Sequence, residues 1–214
     1  MQTLTKQLHR LPISARLPIG PDQWELLEAH FALLQKWNDH AGLVSPHTLA
    51  NALAVHYYDS IHLSRFVNRY VTGERLRDIG SGGGFPGIVY SLLFPRHRIR
   101  LYERNKKKRS FLVQAVAELK VENCSIEVAS ATAESELLMS RATFGAEKFF
   151  EAIRPFLLPG ARTVLSWGGG EKSYPDSSEF ITVGREQYEL PFDAGRRGVE
   201  IVEYRPSVDA MRDR

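Results

Sequence analysis

Two carboxylates flank a glycine-rich segment and together suit a cationic nucleoside ligand. The segment runs Asp78-Ile79-Gly80-Ser81-Gly82-Gly83-Gly84-Phe85-Pro86-Gly87 and follows a short apolar strand. Glycines let the backbone turn sharply and approach a ligand, and the helix that begins there points its free amides at that ligand. Asp78 would repel a pyrophosphate but attract a cationic amino-acid group, and Glu103, which ends the next strand, is placed to accept from two ribose hydroxyls. This pattern predicts S-adenosylmethionine as the cofactor.

The predicted cofactor-binding residues of this segment and the next strand are Asp78, Gly80, Gly82, Gly84, Phe85 and Glu103. Two other interpretations of the glycines remain open. The spacing Gly82-x-Gly84-x-x-Gly87 also matches the dinucleotide fingerprint, which would indicate a nicotinamide-dependent oxidoreductase. The segment would otherwise be a connecting turn without a ligand, although so many glycines are a costly way to make one.

Basic residues dominate the stretch from residue 96 to residue 109, where Glu103 is the one acid. They are Arg96, Arg98, Arg100, Arg104, Lys106, Lys107, Lys108 and Arg109. Several lie at the start of a predicted helix, where the helix dipole disfavours positive charge. This local cost indicates an anionic partner, and we predict that Arg104 and the four residues from Lys106 to Arg109 bind an RNA backbone. A solvated helix face is the alternative.

The order of the predicted elements indicates a helical cap (residues 1–72) followed by a cofactor-binding unit (residues 73–214). Helices are expected over Pro21–Gly42, Thr48–Tyr58 and Ile61–Gly73, on the spacing of their apolar residues. Strands (Leu76–Ile79, Ile99–Glu103, Ser125–Ala129, Arg162–Ser166) then alternate with helices (Ile88–Phe94, Lys106–Leu119, Gly145–Leu157). Such alternation predicts a parallel sheet covered on both faces. Phe180–Val183 and Val199–Tyr204 have no helix between them and predict an antiparallel hairpin at the sheet edge, typical of methyltransferases.

The composition is that of an ordinary soluble globular protein. The chain has 214 residues, of which 43% are hydrophobic and 25% charged, and its net charge of +3 is only mildly basic. We expect no secretory signal, because residues 1–16 contain no apolar h-region, and no apolar run is long enough to span a bilayer. Cys124, the single cysteine, can form neither an internal disulfide nor, alone, a zinc site. We therefore predict a cytoplasmic monomer that contacts no membrane and binds no metal.

Several motifs, taken together, resemble the bacterial glucose-inhibited-division-B type 16S rRNA (guanine-N7) methyltransferases. They are Leu34-Gln35-Lys36-Trp37-Asn38, His56-Tyr57-Tyr58-Asp59-Ser60, the glycine segment, Glu103 to Leu112, Ala133-Glu134 and Ser140-Arg141-Ala142. Many methyltransferases share the glycine segment, whereas the His-x-x-Asp-Ser and Lys-Lys-x-x-Phe-Leu motifs are more particular. The resemblance covers roughly residues 25 to 170.

The resemblance implies a class I methyltransferase fold: a mostly parallel, Rossmann-like sheet flanked by helices, with the N-terminal cap and the C-terminal hairpin. It places Ala133 and Glu134 near the adenine, Arg141 beside the target guanine, and His56 and Asp59 at the rim or in a supporting shell around the site. Arg141 and His56 are thus the predicted catalytic residues, although a lone histidine on an apolar helix is also a common structural residue.

The implied reaction is methylation of guanine N7 in 16S ribosomal RNA, either free or within the small ribosomal subunit. N7 carries a lone pair and no proton, so the enzyme requires no general base and acts by orientation. Arg141 is suited to donate to guanine O6 on the same edge. Only Ser135 to Met139 separate Glu134 from Ser140, which predicts a short fourth strand. A relative that binds RNA or ribosomal particles without methyl transfer therefore remains an alternative.

Overall fold

The computed structural model describes residues 3–10, 18–71, 73, 75–127, 137–141, 150–151, 153–154, 157–168 and 179–206. Its α-helices are α1 (Leu4–Leu8), α2 (Pro21–Ala41), α3 (Pro46–Ala50), α4 (Asp59–Asn68), α5 (Gly87–Leu93) and α6 (Lys106–Glu118). A π-helix covers Leu53–Tyr58. The strands are β1 (Arg75–Ile79), β2 (Arg98–Tyr102), β3 (Cys124–Glu127), β4 (Leu137–Ser140), β5 (Arg162–Gly168), β6 (Phe180–Glu189) and β7 (Arg196–Tyr204). Within these described ranges, no helix is long and apolar enough to cross a membrane.

The seven strands form one sheet in the order β3-β2-β1-β4-β5-β7-β6. Strands β1 to β5 pair in parallel, whereas β7 is antiparallel to both β5 and β6. The predicted parallel sheet and its antiparallel C-terminal hairpin are therefore confirmed. The hairpin strands are longer than predicted, because β6 continues to Glu189 and β7 already begins at Arg196.

One hydrophobic core joins the N-terminal helices to the sheet. Leu27 and Phe31 of α2 and Phe66 of α4 belong to the same buried cluster as Leu76 of β1 and Leu101 of β2. Side chains on a strand alternate between its two faces, so Leu76 and Leu101 turn toward the cap helices. The cap therefore packs against the sheet instead of enclosing a core of its own.

A second cluster covers the opposite face of the sheet. It contains Leu138 of β4, Leu165 of β5 and Val202 of β7, together with Ile153 and Leu157. The two clusters place the sheet between two apolar layers, as expected for an α/β fold.

The prediction of one continuous helix over Thr48–Tyr58 is wrong, because the structure has two separate helical segments there. Helix α3 ends at Ala50, because Asn51 leaves the helical region with φ −116° and ψ 36°. The chain then forms the π-helix, whose wider turn shifts the side chains that follow it, and continues directly into α4. Apolar spacing alone does not distinguish this arrangement from one regular helix.

The short fourth strand is confirmed: β4 has four residues and pairs with β1 on one side and β5 on the other. Most of the predicted helix Gly145–Leu157 and the end of the predicted strand at Ala129 lie outside the described residues.

Candidate active site

The glycine segment turns the chain between β1 and α5 at the carboxyl edge of the sheet. Gly80, Gly82 and Gly84 have φ of 78°, 52° and 84°, the left-handed region that other residues rarely adopt. A Cβ at Gly84 would lie 2.7 Å from Cδ1 of Ile88, so any side chain there would also force Ile88 to shift. On the Cβ side of Gly80, none of the described residues comes within 4 Å. The loop is therefore tight against α5 and open at Gly80, which leaves room for a ligand.

Asp78 fastens the end of β1 to the start of α5. Its side chain is fully buried, and Oδ2 accepts a hydrogen bond from the amide of Gly87 at 3.0 Å. Oδ1 has no hydrogen-bond partner among the described residues. Burial raises the pKa of this carboxyl to about 6. A buried oxygen without a partner fits the predicted attraction for a cationic group, because such a group would satisfy it.

Glu103 follows β2 and faces the same loop. It is 7% exposed, Oε2 accepts from the amide of Gly82 at 3.0 Å, and Oε1 accepts from the amide of Asn105 at 2.8 Å. An ionised carboxylate offers about four acceptor positions. Two donors leave capacity for the hydroxyls of a ribose, so the residues present fit the predicted cofactor.

Asn105 caps α6, a role that the sequence analysis did not predict. Its side-chain oxygen accepts from the amides of Lys107 and Lys108 at 3.0 and 3.3 Å, and asparagine is a favoured residue at this position. The sequence signal for this cap was an asparagine directly before the three lysines that begin the helix. The cap fixes the direction in which the basic residues leave the helix.

The predicted RNA-binding residues differ in their surroundings. Arg104, Lys106 and Lys107 are exposed, whereas Lys108 and Arg109 are half-buried. Arg109 donates through Nη1 to the carbonyl oxygens of Glu103 and Arg104, at 3.0 and 2.8 Å. Arg109 therefore braces the backbone behind Glu103, and its predicted contact with RNA stays a prediction.

His56 and Arg141, the two predicted catalytic residues, meet at Phe85. The imidazole of His56 stacks on the Phe85 ring, with centroids 5.0 Å apart and planes 19° from parallel. The Arg141 guanidinium carbon lies 5.2 Å from the same ring centroid. The structure thus brings together residues from the π-helix, the glycine loop and the end of β4.

His56 is buried, and neither ring nitrogen has a hydrogen-bond partner among the described residues. Burial, with the charges of Arg141 and Arg197, lowers the pKa of His56 to about 3. With so low a pKa, His56 is neutral at physiological pH and is a poor general acid. Its observed contact with the site is the ring stack on Phe85, and its catalytic role stays a prediction.

Arg141 is held by the helical cap. Its Nη1 donates to Oδ2 of Asp59 at 3.1 Å and to the carbonyl oxygen of Val55 at 3.4 Å. Oδ1 of Asp59 in turn accepts from the hydroxyl of Tyr188 at 2.8 Å and lies 3.7 Å from Nε of Arg197. The sequence analysis missed Tyr188 and Arg197, because only the folded hairpin brings them to Asp59.

Two predicted cofactor-binding residues, Ala133 and Glu134, lie outside the described residues. Their place beside the adenine stays a prediction.

Residues 23–173 match the family model described as GidB, rRNA small subunit methyltransferase G. Similar curated proteins carry the name Ribosomal RNA small subunit methyltransferase G. The protein of Laribacter hongkongensis is 32% identical over 195 residues, covering 88% of this chain and 86% of the relative. That of Nitrosomonas europaea is 29% identical, covering 95% and 99%. That of Hydrogenovibrio crunogenus is 39% identical over 110 residues, and this alignment spans 49% of the relative's length.

Solved structures with a similar fold include methyltransferases of low sequence identity. The O-methyltransferase TomG from Streptomyces achromogenes, in complex with SAM, has a TM-score of 0.56 at 16% identity and covers 85% of this chain and 90% of its own. A putative O-methyltransferase from Klebsiella pneumoniae has a TM-score of 0.56 at 13% identity, covering 91% and 94%. These likenesses show a class I methyltransferase fold.

Proposed function

Because the chain belongs to the rRNA small subunit methyltransferase G family, we propose that it transfers the methyl group of S-adenosylmethionine to N7 of a guanine in 16S ribosomal RNA. The observation that carries the proposal is the arrangement at the sheet edge. Asp78, the glycine loop and Glu103 line one side, and Phe85 joins that loop to Arg141. The family match removes the nicotinamide-dependent alternative.

Each residue around the glycine loop binds a different part of the cofactor. Asp78 binds the cationic amino-acid end through Oδ1, which has no partner in the described part of the chain. Glu103 accepts from the ribose hydroxyls, and the side of Gly80 that the described residues leave open gives room for the ligand. S-adenosylmethionine, when bound, supplies an electrophilic methyl group. Ala133 and Glu134 are proposed to lie beside its adenine.

The protein's contribution to the chemistry is orientation. Guanine N7 has a free lone pair, so no side chain has to remove a proton, which agrees with a neutral His56. Arg141 donates to guanine O6 and thereby fixes the N7 edge. The exposed cations at the start of α6 hold the phosphate backbone of the substrate.

Binding of RNA without methyl transfer is the second candidate function. The four-residue β4 favours it, because the end of this strand separates the cofactor from the substrate. We further propose a cytoplasmic monomer that acts on 16S rRNA, free or in the small subunit.

The test is methyl transfer from labelled S-adenosylmethionine to 16S rRNA and to small subunits that lack the modification. N7-methylguanosine in the digested RNA supports the enzyme. Gly82→Asp, which places a carboxylate against Glu103 at a residue of positive φ, is expected to abolish transfer and retain RNA binding. RNA binding by the wild type, with no cofactor binding by calorimetry and no methylated product, would instead support the second candidate.

A further inference from the structure

Tyr188 reaches the site from the C-terminal hairpin, far along the chain from the cap. Its hydroxyl donates to Oδ1 of Asp59 at 2.8 Å. Its ring is stacked on His62 of α4, with centroids 4.5 Å apart and planes 12° from parallel. The ring stack and the hydrogen bond together fix the position of the phenol oxygen.

The carboxylate that receives this hydrogen bond also holds Arg141. Asp59 is 5% exposed, and its second oxygen, Oδ2, accepts from Nη1 of Arg141 at 3.1 Å. Both oxygens belong to one planar group, so a donor that fixes the direction of Oδ1 also fixes that of Oδ2. Tyr188 therefore controls the orientation of the acceptor to which Arg141 is bound.

Arg197 places a positive charge near the same carboxylate but constrains its orientation less than Tyr188 does. Its Nε lies 3.7 Å from Oδ1 of Asp59, beyond hydrogen-bond distance. An ion pair at that distance tolerates rotation of the carboxylate, whereas a hydrogen bond of 2.8 Å from a stacked phenol does not. The directional contact from the hairpin is thus the one made by Tyr188.

We propose that Tyr188 is a positioning residue for methyl transfer: through Asp59 it keeps the Arg141 guanidinium over Phe85, directed at the O6 edge of the target guanine. This inference rests on the proposed function. The C-terminal hairpin would then do more than complete the sheet, because Tyr188 links β6 to Arg141, the residue that orients the base.

Tyr188→Phe tests the inference, because phenylalanine keeps the ring against His62 and removes only the hydroxyl. We expect kcat to fall about ten-fold, which matches the loss of one hydrogen bond to a charged group. The KM for S-adenosylmethionine and the thermal midpoint should stay close to those of the wild type. Tyr58→Phe is the matched control: Tyr58 also contacts His62, at 4.9 Å, but no described contact joins its hydroxyl to Asp59. This control should keep the wild-type kcat.

A double-mutant cycle separates positioning from general stability. Asp59→Asn leaves a single acceptor oxygen, which cannot accept from both Tyr188 and Arg141, so it breaks the link between them. Adding Tyr188→Phe to it should therefore lower kcat by less than about two-fold more. An unchanged kcat in Tyr188→Phe overturns the inference alone. The inference is also overturned if the double variant loses kcat by the product of the two single losses. A loss of kcat in Tyr188→Phe that comes with a lower thermal midpoint and a raised KM overturns it as well. No transfer by the wild type overturns the proposed function and this inference with it.

Discussion

The carboxylate of Glu103 accepts a hydrogen bond from the backbone amide of Gly82, with 3.0 Å between Oε2 and N. This bond joins the end of β2 to the glycine loop that follows β1. A ribose bound at Glu103 would therefore meet a carboxylate whose direction is already set by the loop. Preorganisation of this kind reduces the ordering cost of binding.

Glu103→Ala should weaken binding of S-adenosylmethionine roughly 10- to 100-fold, because hydrogen bonds to a charged group contribute about 1.5–3 kcal/mol. The loop would also lose the acceptor for the Gly82 amide. Calorimetric titration of the purified protein measures the effect. Glu122→Ala removes an exposed carboxylate elsewhere on the surface and serves as the control. Equal affinities for Glu103→Ala and wild type would refute the assignment of Glu103 to the ribose.

Asp78→Asn should stabilise the cofactor-free protein while weakening its affinity for the cofactor. Burial raises the pKa of Asp78 from 3.8 to about 6, so the folded state binds more protons than the unfolded state between these values. Asp78 therefore reduces stability progressively as pH rises through this window. Replacement by asparagine should raise the free energy of unfolding by up to about 3 kcal/mol at pH 8, and by about half of that at pH 5. Urea unfolding at the two pH values measures this.

The affinity of Asp78→Asn for S-adenosylmethionine provides the second measurement. Asparagine keeps an acceptor for the Gly87 amide but loses the negative charge that would attract a cationic amino group. A variant that is more stable and still binds the cofactor as tightly as wild type would contradict the role proposed for Asp78.

The parts of the site that lie within one βαβ unit could be predicted from sequence. Asp78, the glycines and Glu103 are close in the chain, and parallel strands bring their carboxyl ends to one edge. The alternation of strands and helices predicted the sheet. The last two strands, which have no helix between them, predicted the hairpin at its edge. Local spacing carries all of this information.

The contacts to Asp59 could not be predicted in this way. Tyr188 and Arg197 reach it through a hairpin whose register is set by pairing with β5, and their own sequence neighbourhood carries no sign of it. The π-helix that presents His56 has the apolar spacing of an ordinary helix. The stacking of His56 on Phe85 follows from both the π-helix and the glycine loop, so it appears only in the folded chain.

The protein should lose stability as pH falls below about 6.5, partly through two buried histidines. Burial lowers the pKa of His30 to about 4 and that of His56 to about 3. Between these values and 6.5 the unfolded state binds more protons, so unfolding is favoured by acid. Each histidine should cost about 1.6 kcal/mol between pH 6.5 and pH 5.

His56→Phe tests this pH dependence, since phenylalanine preserves an aromatic ring against Phe85 and cannot be protonated. Its free energy of unfolding should fall less steeply with acid than that of the wild type in urea titrations. His47→Gln, at an exposed position, should keep the wild-type slope. Identical slopes for His56→Phe and the wild type would mean that His56 is not held neutral in the fold.

Reversing the charges of Lys106, Lys107 and Lys108 to glutamate should weaken RNA binding and flatten its dependence on salt. Each lost phosphate contact reduces the slope of log K against log salt by about 0.9 for duplex and about 0.7 for single-stranded RNA regions. The triple variant should fold normally, because acidic residues in the first turn suit the helix dipole and the Asn105 cap accepts from backbone amides that remain. A control triple at exposed Lys6, Arg96 and Arg98 changes the net charge equally at sites away from the start of α6. If both triple variants reduce the slope equally, RNA responds to the overall charge and the α6 cluster is only a solvated face. A larger reduction of the slope in the α6 variant locates the backbone contact beside the loop that carries Glu103.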